Sequence, residues 1–114
     1  MSTLAEDMAE LVEDLSALDL PATSNPRAAS QWQSGAVILV TPPTRDYTSK
    51  LTTWTLAVLV PKQDASLETT KKIGDVLAAL ETAVPTIEEA RPGSVLLERD
   101  LPPVPAYLVR LTTP

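Results

Sequence analysis

An α+β domain with two layers, two helices on a four-stranded and mainly antiparallel sheet, is the fold class that this sequence predicts. Three observations carry the prediction. Almost none of the eleven prolines falls inside a periodic stretch. Apolar residues recur at helical spacing near the N-terminus and again over residues 66–84. Residues 52–60 and 106–112 alternate with the period of a strand. Proline has no amide donor and a fixed φ, so borders of elements accept it and interiors reject it. The intervals between prolines therefore read as elements in the order α-β-β-α-β-β, in one domain spanning residues 1–114.

The first helix occupies residues 1–20. Leu4, Met8, Leu11, Leu15 and Leu18 form one apolar stripe, and Thr3 with Glu6 forms a capping box in which each side chain binds the other's backbone amide. Pro21 ends it. The stripe packs either on the domain's own sheet or against a neighbouring subunit. Residues 22–34 are small and polar around Pro26 and read as an irregular lead-in. Its one large apolar group, Trp32, either pins the segment to the core or anchors an interface.

Residues 36–41 form a continuous apolar run, the pattern of a strand covered on both faces. In residues 52–60, Trp54, Leu56, Val58 and Val60 share one face, with Thr53, Thr55 and Ala57 on the other. The connection at 42–50 is longer than a hairpin requires and is stiffened at its root by Pro42-Pro43. Its residues Pro42, Pro43, Thr44, Arg45, Asp46, Tyr47 and Lys50 make it the leading candidate for a contact surface.

The second helix runs over 66–84 with Ser66 as N-cap, Glu68 in the first turn and Pro85 as its stop. Leu67, Ile73, Val76, Leu77, Leu80 and Val84 form its apolar stripe. Gly74 and Ala78 would let another backbone come close, within the subunit or between subunits. Pro92-Gly93 reads as a turn, 94–98 and 106–112 as two strands joined by the proline-rich loop 100–105. In the last strand Tyr107, Val109 and Leu111 face one way and Ala106, Leu108 and Arg110 the other.

Composition removes much chemistry. With no cysteine there is no disulfide, thiolate ligand or thiol nucleophile. With no histidine the commonest general base and transition-metal ligand are missing. The three glycines are too scattered for a phosphate loop. Glu88 and Glu89 are adjacent and would point to opposite faces of a strand. Asp7, Glu10 and Asp14 share a helical face, but solvated acids are the reading there, not a cation site. No catalytic group, cofactor or metal is expected. The net charge of −6 comes from residues 1–20, which hold six acids and no base; the other nine acids are matched by the nine bases. Such a balance does not attract nucleic acid. Apolar runs such as 56–60 are too short for a bilayer, and the N-terminus lacks a cationic leader pattern, so assembly in a cytoplasm is expected.

Certain runs are familiar. Ser24-Asn25-Pro26-Arg27, the strand ending Val40-Thr41-Pro42-Pro43-Thr44, the stretch Thr52-Thr53-Trp54-Thr55-Leu56-Ala57-Val58-Leu59-Val60-Pro61, Leu77-Ala78-Ala79-Leu80 and Leu101-Pro102-Pro103-Val104-Pro105-Ala106-Tyr107 resemble small tail proteins of siphophages infecting actinobacteria. These belong to the tail terminator group, similar in fold to the lambda-type terminator. The resemblance covers roughly residues 20–114.

It implies a ring, commonly hexameric, at the head-proximal end of a virion tail. The ring would stop tube polymerisation and serve head-tail joining. Implied partners are further copies of the chain, the major tail tube protein and a head-tail connector or neck protein. DNA would only pass through the lumen, and no membrane is involved. If the first helix lined that lumen, Glu6, Glu10, Glu13 and Asp14 would face the DNA path. A head-closure or neck adaptor is the nearest alternative, and a non-phage α+β binding module a more distant one.

Overall fold

The structure is a computed structural model and describes residues 3–32, 35–61, 67–84, 86–100 and 102–113. Among them are three helices and six strands, in the order α1 (Leu4–Ala17), β1 (Ala22–Thr23), α2 (Pro26–Ser30), β2 (Val37–Val40), β3 (Thr44–Asp46), β4 (Leu51–Leu59), α3 (Leu67–Ala83), β5 (Ile87–Val95) and β6 (Val104–Thr113). The strands form one mixed sheet ordered β1-β2-β4-β6-β5, with β3 also paired to β4. The expected two helices and four-stranded, mainly antiparallel sheet are therefore corrected to three helices and a six-stranded sheet with a parallel β1–β2 pair.

α1 begins with the expected capping box: Thr3 Oγ1 accepts from the Glu6 amide at 3.1 Å, and the Glu6 carboxylate accepts from the Thr3 amide at 3.4 Å. It ends in a tight reversal that the sequence reading did not anticipate. The Leu20 amide donates to the Leu15 carbonyl, the Asp19 amide to the Ser16 carbonyl, and Asp19 takes a left-handed φ of 61°. Leu15 and Leu20 close the motif as an apolar pair in the core. Met8, Leu11, Val12 and Leu15 face the sheet, while Leu4 and Leu18 are exposed. The expected stripe is thus rotated, with Val12 replacing its two ends.

The lead-in is ordered. β1 pairs parallel with β2 through Ala22–Ile38 and Thr23–Leu39. α2 follows because Asn25 Oδ1 caps the Arg27 amide at 3.0 Å and Pro26 sits in the first turn, where its missing donor costs nothing.

The sheet has two buried faces. Leu56, Val58, Val109 and Leu111 pack with α1 and α3 on one; Val37, Leu39, Ala57, Leu59 and Ala106 pack with Ala29 of α2 and Leu97 on the other. All four β2 residues are buried, as an apolar run covered on both sides requires. The facing of alternate residues in β4 and β6 agrees with their sequence pattern. Trp32 packs on the second cluster, which makes it a pin for the α2 segment. In α3, Ile73, Val76, Leu77 and Leu80 reach the core, as does Val84 just after it, but Leu67 is 86% exposed and the buried position of the first turn is Thr69. Among the described residues nothing lies within 4 Å of a Cβ built on Gly74, so none of their backbone comes close there. The Ser66 cap and Pro85 stop lie outside the described residues.

Pro92-Gly93 is not a turn. β5 runs straight through it, pairing Pro92 with Tyr107 and Gly93 with Ala106, and ends at Val95 instead of beginning at 94. β5 is a sheet edge, where the amide missing from a proline can face away from the ladder. Gly93 suits this register because a Cβ there would lie 2.8 Å from Leu108 Cδ1.

Candidate functional site

The connection at 42–50 is mostly strand rather than loop. β2 and β3 both pair with β4, with Val40 opposite Leu56 and Thr44 opposite Thr53, so three residues oppose two across the gap. Pro42 and Pro43 interrupt the ladder, and the Thr41 hydroxyl bonds the Thr55 carbonyl across the break. Only Tyr47–Lys50 remain as a four-residue turn. Asp46 builds it: its carboxylate accepts from the Thr48 amide at 2.8 Å and the Ser49 amide at 3.2 Å, while the Lys50 amide donates to the Asp46 carbonyl at 2.8 Å. The Thr48 amide, then the Ser49 amide and hydroxyl, hold the Asp46 carboxyl below its ordinary value of 3.8. Lys50 closes the turn in the left-handed region at φ 61°.

The candidate residues separate into two groups. Pro43 is buried, and Arg45 is largely so, because it points toward the helical face and forms an ion pair with Asp7 of α1. That pair braces the hairpin against the helix. Pro42, Thr44, Asp46, Tyr47 and Lys50 remain exposed, and Tyr47 at the tip is 81% accessible. Of the acids considered for a lumen, Glu6 is engaged in the cap and Glu13 is exposed. Glu10 and Asp14 join Asp7, Arg45, Trp54 and Thr113 around an open groove of about 300 Å³. Trp54 Nε1 donates to Thr113 Oγ1 there at 3.1 Å. No cluster of three or more acidic side chains suited to a metal ion occurs among the described residues, and no helix among them is long and apolar enough to cross a membrane.

Glu88 and Glu89 behave differently from their sequence reading. A bulge between Ile87 and Glu89 shifts the register, and both carboxylates reach Arg110, at 3.1 Å and 3.5 Å. Glu89 and Arg110, with Thr55 and Arg91, make a polar patch on the side of the sheet that α2 leaves open. A further open cavity of about 440 Å³ lies at the far end of β4, lined by Pro61, Leu97, Pro102 and Val104 with Ser30 and Glu98. The sequence reading missed it. Its signal was Asn25-Pro26, a helix start that places Ser30, whose hydroxyl donates to Glu98 at 3.0 Å.

No protein-family model, curated protein or solved structure matches the chain.

Proposed function

We propose that this protein is a structural component of a phage tail: a terminator that caps the tail tube as a ring, ends tube polymerisation and offers the surface for head-tail joining. It acts by shape and contact rather than by catalysis. Its partners in this reading are further copies of itself, the tail tube protein and a neck protein, at the head-proximal end of the tail. The sequence resemblance over residues 20–114 supports this reading.

The single observation that supports it most is the braced hairpin. The β3–β4 hairpin, flanked by β6 at Thr52 and Thr53, tied to α1 through Arg45–Asp7 and closed by the Asp46 turn, presents one exposed tyrosine. Exposed aromatic anchors on ordered backbone serve well in protein contacts, because little entropy is lost on docking.

Arg45 and Asp46 hold the hairpin together, so the informative variant spares them. Tyr47→Ala with Lys50→Ala should leave the domain folded and sharply reduce the yield of complete, infectious particles. Unchanged yield would count against the proposal. The phenotype of a deletion separates the rival reading: overgrown tubes support a terminator, whereas tubes of normal length with leaking heads support a head-closure protein.

A further inference from the structure

The hairpin tip and the apolar cavity lie at opposite ends of one strand. Leu51 opens β4 directly after the tip, Pro61 follows its far end beside the cavity, and nine strand residues span about 30 Å. The two surfaces are also complementary in kind. The tip offers a phenol ring and, three residues on, the exposed ammonium of Lys50. The cavity offers prolines and aliphatic side chains, with the half-buried carboxylate of Glu98 in its wall, while the exposed Arg99 and Asp100 that follow it offset each other in charge. At about 440 Å³ it has ample room for a phenol ring.

We infer that Tyr47 of one copy docks in this cavity of the next copy. The ring packs against Pro61, Leu97 and Pro102, the phenol hydroxyl donates to the Glu98 carboxylate, and Lys50 lies near the same carboxylate. A knob and a hole on unlike parts of one chain make a heterologous contact, which gives a ring where its rotation closes. The inference rests on the ring-forming reading, for which it names the mating surfaces.

The absence of native cysteine makes the test direct. Thr48→Cys is placed beside the tip and leaves Tyr47 intact; Arg99→Cys is placed beside Glu98. Circular dichroism first checks that each variant is folded. A short bismaleimide should join the two variants when mixed at tens of micromolar, with little product from either alone. Adding Tyr47→Ala to the Thr48→Cys copy should lower the mixed product at least tenfold. An Ala79→Cys copy, on the outer face of α3, should give only background. Equal yields with Arg99→Cys and Ala79→Cys, or indifference to Tyr47→Ala, would overturn the inference. Should that happen while particles still carry a ring of this protein, the contact fails and the ring reading survives. Specific cross-linking without any place in a tail would do the reverse.

Discussion

Replacing Asp7 with asparagine and Arg45 with alanine, singly and together, probes the brace between α1 and the hairpin. The side chains are 16% and 24% accessible, so the pair lies between a surface bridge and a buried one. Exposed pairs contribute about 0.2–1 kcal/mol, whereas removing one partner of a buried pair costs about 3–5 kcal/mol. Intermediate burial places each single variant near about 2 kcal/mol. The second substitution costs less than the first, because the partner is already uncompensated. The double variant should lose about 3 kcal/mol, which leaves a coupling of about 1 kcal/mol. For a domain of this size the single variants should melt about 10 °C lower. Urea titrations can be followed through the fluorescence of Trp54, which is buried beside this contact. Additive losses, with coupling below about 0.3 kcal/mol, would refute the claim that the pair braces the hairpin.

Two further outcomes follow from local backbone chemistry. Asp19 occupies a left-handed position that suits glycine better, so Asp19→Gly should stabilise the domain by about 0.5–1 kcal/mol in the same titration; a loss would show that its side chain matters more than its φ. The Asp46 carboxyl titrates lower in the folded than in the unfolded chain, so its contribution is complete above the unfolded value of 3.8 and disappears as pH falls through the lower folded value. The denaturation midpoint of Asp46→Ala should therefore trail the parent by a constant amount near neutrality and converge with it in acid; a gap that persists at the acid end would contradict the turn described.

Legibility in the sequence followed burial. β2, β4 and β6 lie at the centre of the sheet, where Val37–Val40, Trp54-x-Leu56-x-Val58 and Tyr107-x-Val109-x-Leu111 show which faces meet apolar layers. β5 hid because an edge strand needs no apolar alternation. Its Glu88-Glu89-Ala90-Arg91 run faces solvent, a bulge breaks its parity, and the edge tolerates Pro92. α2 is too short for periodicity, although Asn25-Pro26 carried a cap signal. Pro42-Pro43 concealed the continuation of β2 into β3, since two missing amides look like a loop while the register merely slips by one. For the site, Tyr47 and Lys50 were legible as exposed residues. Arg45 was not, because its partner is 38 positions away and only the tertiary fold brings it near.

Electron microscopy of tails assembled with this protein, at a resolution that traces a chain, tests the central proposal most directly. A single closed ring of this fold, seated on the last ring of the tube at its head-proximal end, is the predicted result. Tails that reach normal length and join heads without this chain at that position would contradict it.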